Sequence, residues 1–110
     1  MNIWKNVEPI SHQEAQNKLA GKNVDDICDV LVRLAFHDPD RNWVQNECLR
    51  YLGHSEVNVR GVAATCLGHL ARIHGTLDRH KVLPALEALA NDPQIGGRIQ
   101  DAIDDIKKFA

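Results

Sequence analysis

Apolar residues recur at helical spacing along the chain from residue 11 onward, and no segment alternates with the period of two that marks a β-strand. The clearest example is a set of apolar residues at i, i+3, i+4, i+7, i+10 and i+11, which share one helix face: Val24, Ile27, Cys28, Leu31, Leu34 and Ala35. Only 5% of the residues are aromatic, which also favours helices over sheets. The pattern therefore predicts an all-α fold.

Breaks in this periodicity divide the chain into six predicted helices. Ser11 and Glu14 form a capping box at the start of the first helix. Glycines and Asp-Pro turns separate the others, which gives predicted helices over residues 11–20, 23–37, 40–52, 56–74, 78–90 and 92–109. We expect Asp92 to cap the last helix and Pro93 to be its first residue. Pro84 lies too deep for the first turn of the fifth helix, so it predicts a kink there.

The size and charge of the chain limit its function. With 110 residues there is room for one domain, and we expect residues 1–10 to form an extended arm and residues 11–110 to form that domain. Thirteen basic and fifteen acidic residues give a formal net charge of −2, which argues against nucleic acid as a partner. Apolar runs of at most three or four residues exclude a membrane span. Because the amino terminus lacks the apolar core of a signal peptide, we expect a cytoplasmic protein.

Cysteines and histidines, the usual nucleophiles and metal ligands, do not form a pattern that predicts a site. Cys28, Cys48 and Cys66 lack a C-x-x-C spacing and fall on apolar helix faces, where a reduced thiol behaves as a small hydrophobe. His69 and His74 are five residues apart, so they point about 140° apart on one helix. No G-x-S-x-G motif occurs, and the carboxylates lie on polar helix faces. We therefore expect no metal, no cofactor, no catalytic residue and no enzymatic activity.

A repeat of 38 residues connects the fourth and sixth predicted helices. When residues 53–60 are aligned with residues 91–98, the break and the loop coincide, and so do Arg60 and Arg98. An alanine follows four residues after each arginine. The fourth helix carries the clearest copy of the unit: Val59-Arg60, Ala63-Ala64 and Leu67-Gly68-x-Leu70.

These residues resemble the HEAT repeat, including its variant related to phycobilisome lyases. The resemblance implies a short α-solenoid of about three HEAT-like helix pairs over residues 23–109, in which stacking buries the apolar faces. In HEAT geometry the second helix of each pair lines a concave face, and acidic residues of the second and last helices would flank that face: Asp25, Asp29, Asp101, Asp104 and Asp105. Asp104 and Lys108 are spaced for an i,i+4 ion pair, which would offset part of this charge.

Trp43 is a first indication of a partner surface. It shares a helix stripe with Asp40, Glu47 and Arg50 instead of lying among apolar residues. A tryptophan among charges is often a binding anchor. The sequence leaves open the alternative that Trp43 closes the first repeat or covers the amino-terminal arm, together with Trp4.

The fourth predicted helix carries a second candidate surface, a stripe of small and polar residues: Asn58, Gly61, Thr65, Gly68, His69 and Arg72. Small side chains let another backbone approach closely. The sequence does not decide whether that backbone belongs to a neighbouring helix or to an outside partner.

Three segments are similar to parts of small immunity proteins of contact-dependent growth inhibition and related polymorphic toxin systems: NWVQ (42–45), CLGHLARIH (66–74) and DAIDDI (101–106). The resemblance implies a cytoplasmic inhibitor, monomeric or in a 1:1 heterodimer, that occludes a secreted toxin's carboxy-terminal domain, often a nuclease. An acidic face suits a basic toxin domain. The partner-binding residues expected on this basis are Trp43, Glu47, Thr65, His69, Arg72, Asp101, Asp104, Asp105, Asp25 and Asp29.

Two other classes of function fit a HEAT-like chain. One is an adaptor or chaperone in an unrelated pathway, such as phycobilin attachment, which would hold a different protein on the same concave face. The other is a small helical enzyme or nucleic-acid glycosylase, which uses a basic groove. That class requires lysine and arginine on the concave helices, where only Arg60, Arg72 and Arg98 are candidates.

Overall fold

Six α-helices account for most of the chain in the computed structural model, which describes residues 7–110. In chain order they are α1 (His12–Leu19), α2 (Val24–His37), α3 (Arg41–Tyr51), α4 (Val57–His74), α5 (Arg79–Glu87) and α6 (Gly96–Phe109). Within the described range there is no strand, and the all-α prediction is confirmed. None of the helices formed by these residues is long and apolar enough to cross a membrane.

Side-chain caps start four of the helices. In each case an oxygen of the residue before the helix accepts a hydrogen bond from a backbone N–H of the first turn, which otherwise has no intrahelical partner. The capping residues are Ser11 of α1, Asn23 of α2, Asp40 of α3 and Asp78 of α5. At its other end α4 stops at Gly75, whose φ of 66° is left-handed and favours glycine.

Helix α4 lies at the centre of the fold, in contact with α2, α3 and α6. Ten of its residues are buried, among them Gly61 and Gly68. A Cβ atom added to Gly68 would lie 3.3 Å from the Cα atom of Ala102 in α6, so glycine permits the close approach of the two backbones. The backbone that approaches the small-residue stripe is therefore that of a neighbouring helix.

The start of α6 differs from the prediction. Asp92 does not cap α6 and Pro93 is not its first residue, because the helix begins at Gly96. Instead, Oδ1 of Asp92 accepts a hydrogen bond from the N–H of Gln94, and its carbonyl accepts one from the N–H of Gly96, each at 2.8 Å. Its Oδ2 also lies 3.6 Å from Nη2 of Arg60. Asp92 thus closes a separate turn ahead of the helix. 

Helix α5 contains Pro84, as predicted, and ends at Glu87, which is short of the predicted end at residue 90. Two large apolar residues are exposed although they lie in predicted helices: Ile73 by 46% and Phe109 by 39%. Both lie in the last turns of their helices. Both side chains line one recess together with Phe36.

The two arginines aligned in the repeat make different contacts. Nη1 of Arg60 donates hydrogen bonds to the carbonyls of His54 at 3.1 Å and Ser55 at 3.0 Å, which fixes the loop before α4. The side chain of Arg98 lies across Gly61, where an added Cβ would be 3.3 Å from Cδ of the arginine. The HEAT-like solenoid stays a prediction.

Residues 7–10 run along α2 without regular structure. The guanidinium of Arg33 donates to the carbonyls of Glu8 at 3.0 Å and Pro9 at 2.9 Å. The Nε2 atom of His37 lies 2.8 Å from the carbonyl oxygen of Val7, within hydrogen-bond distance. The first part of the predicted arm, with Trp4, lies outside the described residues.

Candidate protein-interaction surface

Five of the predicted partner-binding residues line one cleft between α4 and α6. They are Thr65, His69, Arg72, Asp101 and Asp105, and they are joined there by Arg98 and Ala102. The cleft has a volume of about 310 Å³. On α4 the lining residues recur every three or four positions, as do the acids on α6, so each helix contributes one face. The structure thus brings together half of the predicted set.

Four charged side chains of this cleft have no ion-pair partner within 4.0 Å in the described part of the chain: Arg72, Arg98, Asp101 and Asp105. The ion pairs among residues 7–110 lie elsewhere and join His12 to Asp38, Arg33 to Asp29 and Arg60 to Asp92. The cleft therefore presents two positive and two negative groups that are not neutralised by contacts within it.

His69 lies at the middle of the cleft. Burial lowers the pKa of its imidazole, and the nearby guanidinium of Arg72 lowers it further, whereas the carboxylate of Asp105 acts in the opposite direction. The ring centroid of His69 is 5.0 Å from that of Phe36 on α2. His69 is therefore held in its neutral form near pH 7 and connects α2 to the cleft.

An apolar recess of about 420 Å³ continues the cleft toward the carboxyl ends of α4 and α6. It is lined by Phe36, Ile73 and Phe109 together with His69 and Arg72, which it shares with the charged cleft. The guanidinium carbon of Arg72 lies 5.7 Å from the ring centroid of Phe109, within the range of a cation–π contact. We call the two adjoining regions the two-part cleft, with a charged end and an apolar end.

The sequence did not lead us to predict Phe36, Ile73 and Phe109, which line the apolar end, as site residues. For two of them the spacing carried a signal. Ile73 follows Thr65 and His69 at steps of four, and Phe109 follows Asp101 and Asp105 at the same steps. Extending each predicted stripe by one turn reaches the apolar end.

Trp43 and Glu47 of α3 lie apart from the two-part cleft. The indole of Trp43 stacks on the imidazole of His12 in α1, with ring centroids 4.0 Å apart and an interplanar angle of 27°. Glu47 lines a separate recess of about 250 Å³ between α1 and α3, with Gln16 and Tyr51 among its neighbours. One oxygen of that carboxylate, Oε2, is buried without a hydrogen-bond partner among the described residues.

The remaining predicted acids have separate surroundings. Asp29 forms an i,i+4 pair with Arg33 at 3.3 Å. Oδ1 of Asp104 accepts a hydrogen bond from Nε2 of Gln100 at 2.9 Å. The expected ion pair with Lys108 is wrong, because it is absent from the ion pairs within 4.0 Å among the described residues. Nζ of that lysine instead lies 5.2 Å from the ring centroid of Phe109. The exposed Asp25 stands at the start of α2.

No group of three or more histidine, cysteine or acidic residues in the range 7–110 could hold a metal ion. The three cysteines are free and buried. Burial raises the pKa of the Cys66 thiol well above its ordinary value, and contact with the Cys48 side chain raises it further. The arrangement that these residues offer is a surface of mixed charge next to an apolar recess, which suits contact with another protein.

No protein-family model matches the chain, and a search of curated proteins finds no match. The fold is similar to that of a chain in a solved structure, described as the crystal structure of a CDI complex from Cupriavidus taiwanensis LMG 19424. The TM-score is 0.86 at 28% sequence identity, and the alignment covers 96% of this chain and 95% of that chain. The similarity therefore extends over the whole fold and is not limited to a few helices.

Proposed function

We propose that this chain is an immunity protein of a contact-dependent growth inhibition system, which binds a cognate toxin domain and neutralises it. The observation that carries the proposal is the similarity to a chain of a CDI complex over 96% of the sequence. The segments in residues 42–45, 66–74 and 101–106 that resemble immunity proteins support the inhibitor's role over that of the toxin.

The proposed inhibitor acts by binding and catalyses no reaction. In this proposal it stays in the cytoplasm, where the producing cell needs protection, and forms a 1:1 complex with the carboxy-terminal domain of the secreted toxin. Occlusion of the toxin's active site or substrate face then prevents turnover. A nuclease domain is the partner that best fits the exposed acids Asp101, Asp104 and Asp25, because nucleases present basic surfaces to phosphates.

Coexpression with the toxin tests the proposal directly. The first step is to read the open reading frame immediately upstream of this chain in the source genome, which the proposal expects to encode a large secreted protein. The carboxy-terminal domain of that protein is the probe. We expect that domain to stop bacterial growth when expressed alone, and we expect coexpression of this chain to restore growth. The purified proteins should elute together, with the mass of a 1:1 complex by light scattering.

The adaptor function makes a different prediction for the same experiment. A scaffold for a pigment-bearing or housekeeping protein would leave the toxin's growth arrest unchanged and would not form the complex. Growth arrest that persists at matched expression levels, with no complex in solution, would therefore reject the immunity function.

A further inference from the structure

We propose that the two-part cleft is the docking surface for one segment of the toxin domain, and that this segment carries a lysine or arginine and a large apolar side chain about 6–12 Å apart. The inference rests on the proposed immunity function and adds the surface and the chemistry of the partner. It is carried by three observations: the exposed apolar side chains, the carboxylates without ion-pair partners, and the spacing between them.

The apolar end is the first observation. Among residues 7–110, Ile73 and Phe109 are the large hydrophobic side chains with the greatest exposure, and both line the same recess beside Phe36. Exposed apolar groups that gather in one recess, with charged residues around them, are typical of the centre of a protein interface. An aliphatic or aromatic side chain of the partner would bury all three.

The charged end of the cleft indicates the basic side chain of the partner. Asp101 and Asp105 are one turn apart on α6, and neither has an ion-pair partner in the described range. Of the two cations in the cleft, Arg98 lies across Gly61 of α4 and Arg72 lies 5.7 Å from the ring centroid of Phe109. Neither guanidinium is within 4.0 Å of these two acids. The two carboxylates are therefore left to complement a basic side chain of the partner.

Helix geometry sets the distance between the two groups. Asp101 precedes Phe109 on α6 by eight residues, and Asp105 precedes it by four. At 1.5 Å per residue the two carboxylates are therefore about 12 Å and about 6 Å along the helix from the apolar end. The partner can span that range with residues i and i+2 to i+4 of an extended strand, about 7–13 Å, or with residues one or two turns apart on a helix.

Binding measurements with matched variants test the docking surface. The probe is the same upstream-encoded toxin domain, titrated with wild-type chain and with the double variants Ile73→Ala/Phe109→Ala and Asp101→Asn/Asp105→Asn. The control is Glu56→Gln/Glu87→Gln, which removes the same two negative charges at exposed positions away from the cleft. Melting temperatures confirm that each variant is folded.

The apolar double variant should weaken the complex at least about thirtyfold, mainly through faster dissociation. The Asp101→Asn/Asp105→Asn variant should lower the association rate about tenfold at low salt, and that difference should shrink as the Debye length falls below about 10 Å. The control should stay within about twofold of wild type, because its charges lie elsewhere.

The two proposals fail in different ways. If the wild-type chain does not bind the toxin domain, the immunity function itself is rejected. If it binds and protects, but both cleft variants match the control, the docking surface is wrong while the function stands. If the wild-type chain dimerises and Ile73→Ala/Phe109→Ala makes it monomeric, the apolar end belongs to a second copy and the inference is overturned.

Discussion

Nε2 of His12 lies 2.6 Å from Oδ2 of Asp38, and this contact fastens α1 to the turn between α2 and α3. The Asp38 carboxylate is buried, and its Oδ1 also accepts a hydrogen bond from the N–H of Asp40 at 2.8 Å. Because the same imidazole stacks on Trp43, the indole, the imidazole and the carboxylate form one continuous contact across three segments of the chain.

The replacement Trp43→Ala is therefore expected to lower the stability of the fold. The indole is packed against the core and against His12, and truncation of a part-buried aromatic pair should reduce the free energy of unfolding by about 2 kcal/mol. Urea denaturation measures the loss. Trp43→Phe, which keeps a ring for stacking, should lose less than half as much. An unchanged unfolding curve for Trp43→Ala would contradict this structural role and would favour the alternative that Trp43 anchors a partner.

The two glycines of α4 are expected to respond differently to alanine. At Gly68 the new Cβ would meet the backbone of Ala102 at 3.3 Å, so α6 must shift, and we expect a loss of about 1–3 kcal/mol. At Gly61 the new Cβ would meet the side chain of Arg98, which can move aside. There the gain in helix propensity of up to about 1 kcal/mol offsets part of the cost.

Thermal unfolding of Gly61→Ala and Gly68→Ala, measured side by side, checks this difference. Each variant serves as the control for the other, because both add one methyl group to the same buried stripe. Equal losses at the two positions would show that α6 does not approach α4 more closely at Gly68.

The imidazole of His69 should titrate below the ordinary histidine value of 6.5, because burial and Arg72 both lower its pKa. Its C2 proton resonance in NMR reports that midpoint. Replacement of Arg72 by Gln should raise the pKa, and Asp105→Asn should lower it further, since the carboxylate favours the protonated ring. A midpoint at or above 6.5 in the wild-type chain would contradict the buried position of the ring.

The same shift predicts how His69 contributes to stability. The unfolded chain binds the proton more readily than the folded chain, so the contribution is complete above about pH 6.5 and decreases as the pH falls toward the folded-state pKa. The variant His69→Gln should therefore lose less stability than wild type between pH 7 and the folded-state pKa. If the wild-type chain and the His69→Gln variant lose the same free energy of unfolding over this pH range, the linkage to His69 is excluded.

The cysteines are expected to be unreactive in the folded protein. Cys66 is fully buried and Cys28 is 7% exposed, and burial raises the pKa of both thiols, so little thiolate is available. In denaturant all three thiols should react with a chromogenic disulfide reagent at pH 8, at least about 100-fold faster than in the native state. A thiol that reacts rapidly in native buffer would contradict the packing of α2 or α4.

The periodicity was sufficient to predict six helices because apolar residues recur at helical spacing in each segment and turn residues separate the segments, and both signals are visible in the sequence. It failed at the ends of helices. Ile73 and Phe109 each follow a buried residue by three positions and a polar cleft residue by four, and this spacing does not show whether a side chain at such an edge position is covered. The start of α6 was wrong for a related reason: Asp92 has the residue type of a helix cap, but a turn and the distant Arg60 occupy its carboxylate.

The candidate site was only partly predictable. Helical spacing grouped the residues within α4, but only the resemblance to HEAT repeats placed the acids of α6 beside them, and the structure gathers both sets in one cleft. Trp43 was considered a partner anchor because it stands among charges, yet its position depends on His12, which is 31 residues away in the sequence. Contacts between distant segments depend on packing, which no local pattern contains.

Because α6 packs closely against Gly61 and Gly68 and the two-part cleft lies between α4 and α6, a growing chain can complete that cleft only after both helices have been made. Gly68 leaves the ribosome 34 residues ahead of Ala102, which at roughly 5–20 residues per second is an interval of about 2–7 s. During that interval α4 can fold against α2 and α3 with its glycine stripe uncovered. A nascent chain that ends before Gly96 has most of the core but lacks the side of the two-part cleft that α6 supplies, so the cleft forms only after α6 has been synthesised.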